Sequence, residues 1–184
     1  MTAGAILAGG QSRRFGKDKA RERWNGRTYL DCVAEAMRGA GLAPILAIGG
    51  APEDLPGGVG HVADRWPGQG PLGGVLTALL AYQGDVIVAA CDMVRLSPGT
   101  FLRLVEFAGA EPVVIPVWQD HMQPLCALYR PASLVSLAED FAAGERSLVN
   151  ALGHLPLCEV VFGPEDETFA NINTPEDAAR YLGA

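Results

Sequence analysis

Ala3-Gly4-Ala5-Ile6-Leu7-Ala8-Gly9-Gly10-Gln11-Ser12-Arg13-Arg14-Phe15-Gly16-Lys17-Asp18-Lys19-Ala20 begins as an apolar run, breaks at two glycines and continues as a basic polar stretch. The run Ala3 to Leu7 reads as a β-strand, and Gly9-Gly10 as the loop that leaves its C-terminal end. Such a loop can turn backbone N–H groups toward an anion, and flanking Lys and Arg add charge-assisted bonds to phosphate oxygens. Seven of the 14 basic residues (Arg13, Arg14, Lys17, Lys19, Arg21, Arg23, Arg27) lie between positions 13 and 27, where the only acids are Asp18 and Glu22. The local balance of 7 − 2 = +5 stands inside a chain of net charge −7. The pattern points to a polyphosphate, against the alternative of a solvated basic turn before a helix. It is not a Walker A loop, because five residues separate Gly10 from Gly16 and Lys17 is followed by Asp18.

Outward from this loop, short apolar runs alternate with helical patterns, the signature of β-α units around a mostly parallel sheet. Thr28 to Arg38 places Leu30, Val33, Ala34 and Met37 on one helical face. Strands are predicted over Pro44 to Ile48, Val59 to Ala63, Val86 to Cys91, Pro112 to Val117, Leu125 to Tyr129 and Leu157 to Phe162. Helices are predicted over Leu72 to Tyr82, Pro98 to Ala108, Pro131 to Ala143 and Ser147 to Leu152, with a last one opened by Thr174-Pro175-Glu176-Asp177. One three-layer α/β domain spanning 1–184 is the expected architecture.

With 184 residues, 49% hydrophobic and 19% charged, the chain is long and apolar enough for a real core. The acidic balance argues against nucleic-acid binding, which needs a broad basic footprint. No apolar run approaches the roughly 18 residues that span a bilayer, and no signal-peptide pattern opens the chain, so no membrane partner and a cytoplasmic location are expected. Cys32, Cys91, Cys126 and Cys158 have neither metal-ligand nor C-x-x-C spacing and read as small hydrophobes. His61, His121 and His154 are scattered, and Gly10-Gln11-Ser12-Arg13-Arg14 fails the G-x-S-x-G elbow.

Gly68-Gln69-Gly70-Pro71-Leu72-Gly73-Gly74 matches G-x-G-x-x-G by letter but follows Asp64-Arg65-Trp66-Pro67 rather than a long strand. Its glycines either bring backbone close to a ligand at the start of the next helix or form a plain loop. Asp92 ends the buried run Val86 to Cys91, which puts its carboxylate at the C-terminal edge of the sheet, where open α/β folds bind ligands. Mg²⁺ prefers one or two carboxylates plus substrate phosphates, so Asp92 is the candidate metal ligand; a turn or capping residue is the other reading.

Leu7-Ala8-Gly9-Gly10-x-Ser12-x-Arg14-Phe15-Gly16-x-Asp18-Lys19-Ala20, Gly70-Pro71-Leu72-Gly73-Gly74, Cys91-Asp92-Met93 and Asn171-Ile172-Asn173-Thr174-Pro175-Glu176-Asp177 together resemble molybdenum cofactor guanylyltransferases, over essentially the whole chain. The resemblance implies a Rossmann-like nucleotidyltransferase fold, with GTP and molybdenum-bound molybdopterin as substrates, Mg²⁺ as cofactor, and a recipient molybdoenzyme or chaperone downstream. Carried over by motif, Leu7, Ala8, Gly9, Gly10, Lys19, Asp64 and Asp92 would bind GTP. Arg14, Lys19 and Asp92 would be catalytic, and Gly16, Gly70, Gly74, Arg146, Asn171 and Asn173 would line the molybdopterin side. A polar residue, often Asn, commonly follows the second strand in this family, whereas Ile48-Gly49-Gly50 leaves recognition there to backbone groups. Val94, Phe15 and Gln123 also depart from the usual residues. A cytidylyltransferase of the same pathway, a sugar-1-phosphate nucleotidyltransferase and a non-catalytic nucleotide or cofactor carrier are the alternatives; base preference and pyrophosphate release separate them.

Overall fold

The computed structural model describes residues 1–9, 23–24 and 26–169. Strand β1 (Ala3–Leu7) turns Ala3 and Ala5 to one face of the sheet and Ile6 to the other. A Cβ on Gly4 would lie 2.6 Å from Met37 Sδ, so this strand is small-residued where a helix crosses it closely. That helix, α1 (Tyr29–Gly39), is preceded by a two-stranded antiparallel ribbon of β2 (Arg23–Trp24) and β3 (Arg27–Thr28). Thr28 caps it: its Oγ1 accepts from Asp31 N at 3.1 Å, while Asp31 Oδ2 accepts from Thr28 N at 3.2 Å. This reciprocal box satisfies two donors at the helix start.

Strands β4 (Ile45–Ile48) and β5 (Val59–Val62) follow, then α2 (Pro71–Ala81) and β6 (Val86–Ala90). Every residue of β6 is buried, and enclosing each of Val86, Ile87 and Val88 contributes about 1.5–3 kcal/mol of transfer free energy. Helix α3 (Pro98–Glu106) starts at Ser97, whose hydroxyl accepts from Thr100 N at 3.3 Å, with Pro98 in the first turn. Strands β7 (Val113–Trp118), β8 (His121–Met122) and β9 (Cys126–Tyr129), helices α4 (Leu134–Ala142) and α5 (Leu148–Leu152), and β10 (Leu157–Phe162) complete the described fold.

The main sheet runs β10-β7-β9-β6-β1-β4-β5, with β8 paired to β7. All pairings along it are parallel except those of β9, and β8 is antiparallel as well. Helices α1 and α3 cover one face through Leu30, Val33, Met37, Phe101 and Leu104. Helices α2, α4 and α5 cover the other through Leu72, Leu76, Leu137 and Leu152. The expected three-layer α/β architecture is therefore observed. The sequence reading did not foresee the β2–β3 ribbon or a 3₁₀ turn at Pro52–Asp54, and further details differ. The polar stretch Gln119 to Gln123 contains a strand, because Gln119 and Asp120 take φ of 50° and 60° and close a two-residue turn between β7 and β8. Pro131 to Ser133 forms a 3₁₀ turn leading into α4 rather than the helix's own first turn. A further 3₁₀ turn spans Glu167–Phe169. The predicted last helix at Thr174 lies outside the described residues.

Candidate active site

Beyond β1 the chain moves outward through β4 to β5, then returns to place β6 on the other side of β1. This makes a topological switch point between β1 and β6, and in open α/β sheets the crevice beyond the strand ends at such a point is where ligands bind. The two strand ends are joined there: Cys91 N donates to Leu7 O at 3.3 Å. Asp92 follows directly, half-buried in a turn closed by Met93 N donating to Ala90 O at 3.2 Å. Leu7 and Asp92, assigned from sequence to nucleotide and metal, thus emerge side by side.

On the other flank of β1, Ala8 N and Gly9 N both donate to Ile48 O at 3.0 Å. Both amides are spent inside the protein, so what Ala8 and Gly9 can offer a base is their carbonyl groups, not the mixed set of donors and acceptors that a free loop would present. The backbones of this loop and the next nearly touch: a Cβ on Gly49 would lie 2.9 Å from Gly9 Cα, and one on Gly50 3.1 Å from Ala8 Cβ. Gly49 and Gly50 both have φ near +72°, a region L-residues avoid. The glycines that replace a polar side chain here are therefore demanded by the close approach. His61 reaches over the same corner, its Nε2 3.3 Å from Gly50 O.

Asp64 lies beyond β5, 3.5 Å from where a Gly49 Cβ would sit. Its Oδ1 accepts from Trp66 N at 3.0 Å and from Thr77 Oγ1 at 3.3 Å. Thr77, fully buried on α2, also lies 2.9 Å from Gly73 O and accepts from Arg65 N at 3.2 Å. Asp64 is thus fixed by a helix behind it, and nothing in the sequence spacing signalled Thr77.

The second glycine cluster is closely packed. Gly70 caps α2 with φ of +83°, and a Cβ there would sit 3.2 Å from Arg146 O. One on Gly73 would meet Trp66 Cβ at 3.3 Å, and one on Gly74 would meet Leu7 Cδ2 at 3.1 Å. Gly70 and Arg146 are brought together, as are Gly74 and Leu7. The Arg146 guanidinium lies 4.0 Å over the Phe141 ring. Its Nε donates to Gln69 Oε1 at 2.9 Å, and its Nη1 donates to Phe141 O and Glu145 O at 2.8 and 2.7 Å. Glu145 takes bonds from Ser147 N, Asn150 Nδ2 and Arg146 N, in that order of effect, which hold its carboxyl below the usual carboxylate range. Gln69 and Glu145 are thus the unforeseen supports of Arg146.

Gly10, Arg14, Gly16, Lys19, Asn171 and Asn173 lie outside the described residues. Of the seven clustered cations, Arg23 donates to Gly26 O at 3.1 Å and Arg27 pairs with Glu35. Cys91 and Cys126 are buried and unbridged, and burial pushes the Cys126 thiol far up, consistent with a packing role. Among the described residues no three His, Cys, Asp or Glu side chains converge as a metal cage, and no helix is long and apolar enough to cross a membrane. Asp92 at the switch point suits a hard cation that takes the rest of its ligands from phosphates and water; Asp64 stands beyond β5, on the far side of β4 from β1.

The chain matches the model of the MobA-like NTP transferase domain over residues 4–155. It is 35% identical to a probable molybdenum cofactor guanylyltransferase of Chloroflexus aggregans, covering 100% of this chain and 96% of that one. It is also 35% identical to the molybdenum cofactor guanylyltransferase of Xanthomonas euvesicatoria, covering 97% and 93%. A crystal structure of molybdopterin-guanine dinucleotide biosynthesis protein A from Archaeoglobus fulgidus superposes with a TM-score of 0.75 at 26% identity, covering 98% and 96% of the two chains. A 2-C-methyl-D-erythritol 4-phosphate cytidylyltransferase from Thermus thermophilus shares the fold, with a TM-score of 0.74 at 20% identity. Extending over nearly the full length of both partners in each case, these likenesses show that the chain belongs to the MobA-like NTP transferase family, with the molybdenum cofactor guanylyltransferases among its relatives.

Proposed function

We propose that this chain transfers GMP from GTP to the terminal phosphate of molybdenum-bound molybdopterin and releases pyrophosphate. The observation that carries this reading is the junction of Leu7 and Asp92 at the switch point, flanked by the Ala8-Gly9 and Gly49-Gly50 backbones. An in-line displacement at the α-phosphorus by an already anionic phosphate needs no general base, so the work falls to alignment and charge neutralisation. That is consistent with a site offering carboxylates and main-chain groups rather than a nucleophile and base. Asp92 would hold Mg²⁺, which supplies neutralisation of charge on the leaving pyrophosphate when bound, and Asp64 would contact the nucleotide. Arg14 and Lys19, by their place in the basic loop, offset the triphosphate charge.

Base choice follows from what the corner offers. With the Ala8 and Gly9 amides engaged by Ile48 O, the carbonyls remain as acceptors, which suits the adjacent N1–H and N2–H₂ donors of guanine. Arg146, braced by Gln69 and stacked on Phe141, would face the acceptor phosphate through its remaining Nη2 hydrogens. A recipient molybdoenzyme or chaperone would take the product. A pyrophosphate-release assay with molybdenum-loaded molybdopterin and GTP, CTP, ATP and UTP in turn tests the reading. GTP alone should support turnover. Equal or better use of CTP makes the chain a cytidylyltransferase, and binding without pyrophosphate release makes it a carrier.

A further inference from the structure

We propose that Arg95 is a positioning residue: through Glu167 and Thr168 it clasps the loop that carries Asp92 to the turn Glu167–Phe169, and so holds Asp92 in place. The proposal rests on the function proposed above. Arg95 stands three residues after Asp92, and Glu167 four residues before Asn171. Across 72 residues of sequence, Arg95 Nε donates to Glu167 O at 3.1 Å and Nη2 donates to Glu167 Oε2 at 2.8 Å. The grip is returned by the next residue, as Thr168 Oγ1 donates to Arg95 O at 3.1 Å. Thr168 Oγ1 also lies 3.0 Å from Thr100 Oγ1, both side chains buried. Phe169 completes the attachment by an edge-on contact with Phe162 at 4.8 Å and a tilted one with Trp118 at 6.3 Å.

The side chain of Arg95 therefore binds Glu167 and its main-chain carbonyl binds the adjacent Thr168. The ion pair is partly exposed, 23% for Arg95 and 49% for Glu167, and such pairs add little to stability. Two-point bonding to a main-chain carbonyl and its own carboxylate instead fixes where the segment lies. The clasp fixes the loop that carries Asp92 from its C-terminal side. A small effect on stability beside a large one on turnover is the split expected of such a positioning contact, and a merely structural contact would not give it.

The test is steady-state kinetics with GTP and molybdenum-loaded molybdopterin varied separately, beside thermal unfolding. Arg95→Ala should lower kcat about 10- to 100-fold, the scale of a misalignment near 1 Å, with KM for GTP within about twofold and Tm lowered by no more than about 4 °C. Arg95→Lys should recover part of the loss, and Arg95→Ala combined with Glu167→Ala should be no slower than either alone. If Arg95→Ala fails to fold, Arg95→Lys and Glu167→Gln carry the same split at smaller amplitude. A kcat within twofold of wild type in these variants overturns the clasp while leaving the proposed function standing. If the wild type itself releases no pyrophosphate, the function fails instead. Amide exchange then judges the clasp: Glu167→Ala should speed exchange at residues 93–97, and unchanged rates there overturn it.

Discussion

Asp92 carries one charge at the point where two strand ends meet, and an amide of the same shape removes only that charge. Asp92→Asn should therefore abolish Mg²⁺-dependent turnover while Tm stays close to wild type; near wild-type turnover of the variant at low Mg²⁺ ends the metal assignment. Gly49→Ala probes the opposite property, shape without charge. An added methyl group would fall 2.9 Å from Gly9 Cα at a φ of +72°, so the two loops must part. We expect a loss of about 1–2 kcal/mol in urea unfolding and a raised KM for GTP, with kcat less affected. Unchanged KM would place the base away from this corner. At this scale, Asp64 and Arg146 were picked out through the family resemblance alone, and the strand-end places of Leu7 and Asp92 were legible because each ends an apolar run. Thr77, Gln69 and Arg95 were not. Their partners lie 13, 77 and 72 residues away, and no local period records such a pairing.

The segment from Glu145 into α5 is a single electrostatic unit. Glu145 accepts from two backbone amides and Asn150, and Ser147 caps the helix by accepting from Asn150 N at 3.4 Å. The folded state holds the Glu145 carboxyl below its ordinary value, so its contribution to stability is present above the unfolded pKa, about 4.3, and is lost as pH falls through the lowered folded value. The difference in urea midpoint between wild type and Glu145→Gln should stay constant near neutrality and vanish at acid pH. A difference that persists unchanged at pH 2 assigns the effect to shape instead. Among the described helices, ends other than the start of α4 were readable to within a residue or two because caps such as Thr28 and Ser97-Pro98 are local chemistry. The reversed direction of β9 was not, since Cys126–Tyr129 is buried throughout and reads the same in a parallel or an antiparallel strand. The order of the strands is equally invisible, because a crossover leaves no mark on the residues it joins.

For the whole molecule, a ligand that binds only the folded state raises its stability by mass action. GTP with Mg²⁺ at about 100 times its Kd should add roughly 2.7 kcal/mol, or about 5–10 °C in Tm for a chain of this length. ATP, if discriminated by about two orders of magnitude, should give only about 1–2 °C at the same concentration, and equal shifts would refute a base-selective corner. The order of the sheet has a temporal side as well. Strand β1 leaves the ribosome before the other described strands yet occupies the middle, between β4 and β6. Its partner on one side, Val86–Ala90, is some 80 residues later in the chain. At about 5–20 residues per second, the nascent apolar segment waits several seconds with one hydrogen-bonding edge open, longer than a two-stranded hairpin needs to form by many orders of magnitude. The strand that leads into the proposed nucleotide loop thereby needs shelter during its own synthesis.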